Sequence, residues 1–356
     1  MVDYLLMPTI SDIIRLFKLR SQKKLSQNFL LDMNLTRKIV KCAGNIEGGY
    51  VCEVGPGPGG ITRAILEKDV KQLNVIEKDQ RFIPSLQILS DACDHKLKIY
   101  HGDVLDFDME KLFTEAESQE WDKKSPNIHI IGNLPFNIST PLIIKYLEAI
   151  SNRTGPWKYG RTKMTLTFQK EVAERMVATI LNKRRSRLSI MCQHLCETHL
   201  KFVIPGTAFV PVPMIDVGVV HFVPLRTPMI SQPFKIVEKV VGHVFHYRQK
   251  MIKHSVQTLF PLDMPELLEK MFAETCIDPE TRPIQLSIEE FGRLCHVYAH
   301  ICEQHPHIFD YDYRSKESLN EIKQFRLNRR LSRMHELQQE LEKAEKDVTD
   351  KKSKFA

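Results

Sequence analysis

The chain has 356 residues, 42% of them hydrophobic and 27% charged, with 51 Lys and Arg against 44 Asp and Glu. This length exceeds the usual size of one hydrophobic core and predicts two domains, and the composition excludes disordered and fibrous classes. The net charge of +7 suits an anionic partner, and since no run of 18 apolar residues occurs, no membrane helix is predicted.

The N-terminal residues and the cysteines leave alternatives open. Residues 13–20 form a short basic amphipathic segment that is compatible with a transit peptide, but Asp3 and Asp12 argue against one. A faintly metal-like group occurs at Cys192, His194, Cys196 and His199. That segment is predicted to be helical and lacks the usual zinc-ligand spacing, so we expect free thiols in a reducing compartment and no metal.

The first predicted strand, Tyr50–Val54, leads through a glycine-rich loop at residues 55–60 into a helix. Strand, loop and helix form a nucleotide-binding arrangement, and the loop satisfies G-x-G-x-x-G, so a dinucleotide dehydrogenase is one alternative. However, Pro56 and Pro58 carry no N–H for a pyrophosphate, and Glu53 places a carboxylate beside the ligand. These residues favour a cationic ligand such as S-adenosylmethionine, a sulfonium with an amino-acid tail.

Acidic side chains end or follow the next two predicted strands. Glu77 ends the strand at 73–77 and lies 22 residues after Gly55 (77 − 55), near the spacing at which an acid binds ribose hydroxyls. Asp103 follows the strand at 97–100, where its carboxylate can accept a hydrogen bond from the exocyclic amine of a cofactor adenine. The alternative for Asp103 is helix capping.

The fourth predicted strand, Ile128–Ile131, ends in the turn Gly132-Asn133-Leu134-Pro135-Phe136. In an open α/β sheet, ligands lie beyond the carboxyl ends of the strands, so this turn adds an amide and an aromatic ring to the same site. The alternative is a simple strand-ending turn, because Gly, Asn and Pro are common turn residues.

The rest of the chain predicts a fifth strand at 164–168, helices at 140–150 and 169–180, and an antiparallel pair at 202–204 and 216–222. Phosphate contact is favoured over a solvated loop for the basic run at 182–187. A proline-braced loop holds Phe209 near the strand ends, unless Phe209 is a core residue. Helices at 234–260, 267–272 and 288–301 predict a small α domain, and a charged helix follows Ser315, solvated rather than dimeric.

The ordered motifs resemble those of the ribosomal RNA adenine N6,N6-dimethyltransferase family over nearly all of residues 23–300. They are Gln27-Asn28-Phe29-Leu30, Glu53 to Gly59, Glu77, Asp103, Asn133 to Phe136, Phe168 to Val172, Arg187-Leu188-Ser189 and Phe209-x-Pro211-x-Pro213. Residues 54–63, and Phe136 in place of the more usual Tyr, are similar to the mitochondrial branch. Arg248-Gln249-Lys250 interrupts a basic triplet of the family, and residues after 314 lie outside the resemblance.

The resemblance implies an α/β fold, a Rossmann-like class I methyltransferase sheet with a small C-terminal all-α domain. The implied segments are an N-terminal segment (1–22), a SAM-dependent methyltransferase domain (23–222), a helical RNA-contacting domain (223–313) and a charged helical tail (314–356). The implied reaction is SAM-dependent N6,N6-dimethylation of two adjacent adenosines in the 3′-terminal hairpin loop of small-subunit, mitochondrial 12S-type rRNA.

The resemblance also implies a monomer in the mitochondrial matrix whose partners are small-subunit rRNA, the pre-small ribosomal subunit and, as a further candidate, the mitochondrial transcription machinery. No membrane partner is expected. The alternative is a non-catalytic ribosome-assembly or transcription accessory factor with the same fold. Against it, the residues that catalysis needs are intact, namely Gly55, Glu77, Asp103 and Asn133.

Site residues are likewise implied by the resemblance. The cofactor-binding set is Asn28, Leu30, Gly55, Glu77, Lys78, Asp103, Val104 and Asn133, and the catalytic set is Asn133, Leu134, Phe136 and Phe209. The Asn133 side-chain oxygen and the Leu134 carbonyl are expected to accept from the target adenine amine, which positions its nitrogen for in-line transfer without a strong base. Phe136 is expected to stack on the flipped base, with Phe209 as the candidate for its other face.

Overall fold

A computed structural model describes residues 8–19, 27–93, 95–114 and 118–353, and the side chains of all of these except 326 and 341–353. The chain forms two compact units, one of residues 1–242 with 284–292 and one of residues 243–283 with 293–356. The division therefore falls about twenty residues after the expected boundary at 222/223. Residues just beyond that boundary belong to the first unit, since Lys235 forms an ion pair with Glu148 at 3.0 Å.

The first unit is built on a seven-stranded sheet. The strands of the chain are β1 (Phe29–Leu30), β2 (Tyr50–Val54), β3 (Gln72–Glu77), β4 (Leu97–His101), β5 (Ile128–Gly132), β6 (Lys163–Gln169), β7 (Cys196–Ile204), β8 (Phe209–Val210) and β9 (Val217–Pro224). The sheet order is β4-β3-β2-β5-β6-β9-β7, and β1 pairs separately with β8. Strands β2 to β6 are parallel, whereas β9 is antiparallel to both of its neighbours.

Helices connect and cover these strands. They are α1 (Ile10–Leu16), α2 (Met33–Cys42), α3 (Gly60–Leu66), α4 (Ile83–Ala92), α5 (Phe136–Asn152), α6 (Lys170–Met176), α7 (Arg187–Gln193), α8 (Phe234–Val244), α9 (Ile252–Val256), α10 (Pro265–Thr275), α11 (Ile288–Gln304), α12 (His307–Asp310) and α13 (Lys316–Ser353). Helix α11 begins in the first unit and continues in the second. None of the described helices is long and apolar enough to cross a membrane.

The strand order reverses between β2 and β5, and such a reversal places a ligand crevice beyond the carboxyl ends of the strands. The register makes these ends level, because Val54 of β2 pairs with Ile76 of β3 on one side and with Gly132 of β5 on the other. All five residues of β5 are buried, as in parallel strands covered on both faces. A Cβ added to Gly132 would lie 2.8 Å from the Val54 carbonyl oxygen, so only glycine fits where β5 meets β2.

Three predicted elements differ from the structure. The helix expected at 169–180 ends at Met176, because the chain turns so that Leu181 N–H donates to the Ile284 carbonyl at 2.9 Å. The helix expected around 192–199 instead gives way to β7 at Cys196, whose side chains alternate between partly buried and exposed, as on one face of a sheet. The single helix expected at 234–260 is interrupted between Val244 and Ile252.

The Cys and His residues for which no metal is expected lie in this same region, at positions 192–199. Cys192 lies on α7, whereas Cys196 and His199 lie on β7. Within the described ranges, no group of three or more His, Cys, Asp or Glu side chains is placed to hold a metal ion. In the expected N-terminal segment, α1 is capped by Thr9, whose hydroxyl accepts from Asp12 N–H at 3.1 Å. Residues 1–7 and 20–22 of that segment lie outside the described residues.

Candidate active site

A crevice of about 80 Å³ lies at the carboxyl ends of the central strands. It brings together eight of the predicted site residues, namely Asn28, Leu30, Gly55, Glu77, Asn133, Leu134, Phe136 and Phe209. Lys78, Asp103 and Val104 lie outside its lining. These three residues follow β3 and β4, one and two strands away from the glycine loop.

The glycine loop between β2 and α3 forms one wall of the crevice. Gly55, Gly57 and Gly59 have φ values of +67°, +54° and +89°, a left-handed region that side chains with a Cβ rarely adopt. Gly57 N–H donates to a Glu77 carboxylate oxygen at 3.0 Å, and Asp79 N–H donates to the other oxygen at 2.7 Å. Glu77 therefore ties the loop to the end of β3.

Two buried carboxyl groups, Glu53 and Glu77, line this wall. The Thr62 hydroxyl donates to the carboxyl group of Glu53 at 2.6 Å. Burial raises the pKa of Glu53 to about 8, although this bond opposes the shift. Burial also raises the pKa of Glu77, against the bonds from the Asp79 and Gly57 amides. A cationic group bound beside these carboxyls would stabilise their charged forms.

The charges of the side chains that line the crevice indicate which class of cofactor it can bind. Among the described residues that line the crevice, two are glutamates and none is Lys or Arg. A pyrophosphate would lie against buried carboxyls there without a cation to balance it, whereas a sulfonium with an ammonium group would be complemented. The residues therefore fit S-adenosylmethionine, which supplies the methyl group when bound, and they argue against a dinucleotide.

Asp103 makes local contacts at the end of β4. One carboxylate oxygen accepts from Lys78 Nζ at 2.6 Å, and the other accepts from Leu105 N–H at 3.0 Å. Partial burial opposes these bonds, which nevertheless hold the pKa of Asp103 below its ordinary value. The bond to Leu105 lies in a turn and no helix begins there, so Asp103 is not a helix cap, and its contact with a cofactor adenine stays a prediction.

The turn after β5 is held by a threonine that the sequence did not single out. The Thr167 hydroxyl donates to Asn133 Oδ1 at 2.9 Å and accepts from Leu134 N–H at 3.1 Å. Asn133 Nδ2 donates to the Asn28 carbonyl at 3.2 Å, so both ends of the amide are oriented. Thr167 is fully buried in β6. The sequence signal is a pair of threonines, Thr165 and Thr167, among the apolar residues of β6, but only the pairing of β6 with β5 shows which of them meets Asn133.

The two aromatic candidates differ in their surroundings. Phe136 begins α5, four residues before the expected helix start, and is partly exposed beside the crevice. Phe209 is 1% exposed and belongs to the hydrophobic core, as its core alternative predicts. Leu30 pairs with Phe209 between β1 and β8, and Phe29 contacts Phe82 edge to face at 5.5 Å. The N-terminal motif thus packs on the domain over the crevice.

The basic run at 182–187 is largely engaged in structural contacts. Arg185 is 2% exposed and donates to the Leu286 carbonyl at 2.9 Å. Arg184 pairs with Glu174, and Arg187 lies 4.0 Å from Glu238. These contacts hold Arg184, Arg185 and Arg187 against protein groups, and phosphate contact by this loop stays a prediction.

A family model described as "Ribosomal RNA adenine dimethylase" matches residues 18–300. The chain belongs to this family. Membership confirms the expected enzyme class, an rRNA adenine dimethyltransferase, and its cofactor S-adenosylmethionine. The resemblance drawn from the motifs is thereby confirmed, and the dehydrogenase alternative is wrong.

Relatives named "Dimethyladenosine transferase 1, mitochondrial" match most of the chain. The Homo sapiens protein is 56% identical over 323 residues, covering 89% of this chain and 93% of that protein. The Xenopus laevis protein is 53% identical over 317 residues, covering 89% and 92%. The Caenorhabditis elegans protein is 48% identical over 316 residues, covering 87% and 86%. The predicted similarity to the mitochondrial branch is confirmed.

Two solved structures share the fold. A dimethyladenosine transferase from Plasmodium falciparum superposes with a TM-score of 0.57 at 21% identity, covering 74% of this chain and 94% of that one. The 23S rRNA methyltransferase ErmE gives a TM-score of 0.53 at 20% identity, covering 76% and 100%. With the sheet described above, they confirm the expected Rossmann-like methyltransferase fold.

Proposed function

We propose that this enzyme dimethylates N6 of two adjacent adenosines in the 3′-terminal hairpin loop of small-subunit mitochondrial rRNA. Its site of action would be the mitochondrial matrix and its partner the pre-small ribosomal subunit. The names and high identity of the relatives support the compartment and the adenosine substrate. The observation that carries the catalytic assignment is the oriented Asn133 amide in a crevice that also contains Leu134 and Phe136.

Asn133 and Leu134 position the target amine. The N6 nitrogen of adenine is a poor nucleophile because its lone pair is delocalised into the ring. Asn133 Oδ1 has two lone pairs, and Thr167 uses one of them, so the other is available to an amine N–H. The Leu134 carbonyl supplies the second acceptor. Two acceptors at one nitrogen favour a pyramidal centre whose lone pair faces the methyl group.

Catalysis by positioning agrees with the titratable groups of the crevice. Among its described lining residues these groups are Glu53 and Glu77, and both already accept hydrogen bonds within the glycine-loop wall. Neither is needed as a general base, because the amine loses its proton only after the methyl group has been transferred. Phe136 would stack on the flipped base, and a loop target lowers the cost of flipping because its bases are already unpaired.

The proposal is tested by Asn133→Ala, with Asn137→Ala as the matched control. Asn137 is an exposed asparagine in the first turn of α5 and does not line the crevice. Nucleoside analysis and primer-extension arrest should show that Asn133→Ala abolishes dimethyladenosine formation while RNA binding persists. Asn137→Ala should keep both properties. Undiminished methylation by Asn133→Ala would refute the assigned role, and a wild-type protein that binds the RNA without methylating it would favour an accessory factor.

A further inference from the structure

The second unit contains a groove that shares no lining residue with the crevice of the candidate active site. Its volume is about 510 Å³, within the ~300–1,000 Å³ typical of ligand pockets. Aromatic rings and cationic side chains line it together. They include Tyr247, Tyr313, Phe325, Lys250, His254 and Arg329.

Lys250 and Arg329 form no ion pair with any carboxylate in the described part of the chain. Within the described ranges, no carboxylate lies within 4.0 Å of Lys250 Nζ or of the Arg329 guanidinium, and no Asp or Glu lines the groove. This contrasts with the basic loop of the first unit, where Arg184 and Arg187 face glutamates. This groove therefore offers positive charge to an anionic ligand.

The aromatic rings offer stacking surfaces, two of them substantially exposed. Tyr247 is 40% exposed and Phe325 is 44% exposed. Tyr313 is held in place, since His243 and His246 each contact its ring at 5.1 Å and the Arg314 guanidinium lies 5.1 Å from its centroid. Rings next to unpaired cations are the combination by which proteins bind unpaired bases and their phosphates.

One wall of the groove comes from α13, beyond the residues that the family model matches. Ile322, Phe325 and Arg329 recur at steps of three and four and so share one helix face. Burial and the nearby carboxylates of Glu321, Asp263 and Asp312 raise the pKa of Tyr311, whose hydroxyl is hydrogen-bonded to Ser318. On α13, Arg329 follows Glu321 by eight residues (329 − 321), roughly 12 Å along the helix axis.

We propose that this groove binds an unpaired nucleotide of the RNA substrate, at a site separate from the target adenosines. The base stacks on the exposed rings of Phe325 and Tyr247, and its phosphate contacts Arg329 and Lys250. The tail helix thus completes a second RNA contact that extends recognition beyond the methylated nucleotide.

Fluorescence anisotropy with a labelled single-stranded oligoadenylate tests the proposal in the full-length protein. Phe325→Ala should weaken binding by roughly 5- to 150-fold, the effect of one base–aromatic stack, without changing the salt dependence. Arg329→Ala should weaken binding and reduce the slope of log K against log salt by roughly 0.7, as for one lost phosphate contact with a single strand. The matched controls are Phe309→Ala, a 37% exposed ring outside the groove, and Arg330→Ala, the next residue of α13.

The proposal holds if both groove variants weaken binding in these two ways while both controls bind like wild type. It is overturned if the groove variants bind normally, or if the controls lose as much affinity. It is also overturned if AMP alone binds the groove as tightly as the oligonucleotide does, or if the groove binds an acidic peptide but not RNA. Asn133→Ala should retain oligonucleotide binding, so a failure of the catalytic assignment is distinguishable from a failure here.

Discussion

Replacing Thr167 by valine removes a buried hydroxyl and leaves the side-chain shape almost unchanged. The change leaves Leu134 N–H without its acceptor and Asn133 Oδ1 without its donor, contacts of 3.1 Å and 2.9 Å in the wild type. An unsatisfied buried N–H costs about 1–3 kcal/mol and a lost neutral hydrogen bond about 1 kcal/mol. We therefore expect the free energy of unfolding to fall by about 2–4 kcal/mol.

Methyl transfer should fall more than this loss of stability explains. The Asn133 amide would keep only its bond to the Asn28 carbonyl, at 3.2 Å, and would turn away from the target amine more often. Since a misplacement of about 1 Å can cost a factor of about 100 in rate, we expect a 10- to 100-fold lower single-turnover rate constant at saturating cofactor and RNA.

Thr165→Val is the matched control for this experiment. Thr165 lies on the same strand, is 1% exposed and bonds to His221 at 2.9 Å, so its replacement also removes a buried hydrogen bond. It should lower stability but leave the rate constant of the folded enzyme unchanged. Thr167→Ser, which keeps the hydroxyl, should restore most of the rate. A wild-type rate for Thr167→Val, or an equal rate loss for Thr165→Val, would refute the positioning role.

Two further predictions concern the crevice. Phe136→Ala should lower kcat/KM for RNA, because losing one base stack costs ~1–3 kcal/mol of transition-state stabilisation. Phe136→Tyr should keep both the ring and the activity. An unchanged kcat/KM for the alanine variant would place stacking elsewhere. Because the pKa of Glu53 rises from 4.5 to about 8 in the folded chain, its contribution to stability is complete below pH 4.5 and is lost as the pH rises towards 8. Glu53→Gln should not show this loss, so between pH 5 and pH 8 its free energy of unfolding in urea should rise relative to wild type by on the order of a few kcal/mol. If the free energies of unfolding of the two proteins instead varied in parallel with pH, the assignment of Glu53 as a buried carboxyl would be wrong.

Much of the crevice was predictable because it depends on a simple rule of parallel sheets. Each strand is a short apolar run that can be recognised locally, and polar residues at its carboxyl end share one edge with those of its neighbours. The sequence alone therefore predicts that the glycine loop, Glu77, the Asn133 turn and Phe136 line one crevice, and they do. The ordered motifs carried the family assignment in the same way.

Contacts between distant parts of the chain were decided only by the tertiary structure. Thr167 meets Asn133 because β6 pairs with β5 in a register that sets Leu166 opposite Gly132, and this register depends on the whole sheet. Phe209 is buried in a hydrophobic cluster that also contains Leu30 and Ile61, both far away in sequence. Local sequence specifies which residues can end a strand or line a pocket, but burial and hydrogen bonding depend on neighbours that only folding brings together.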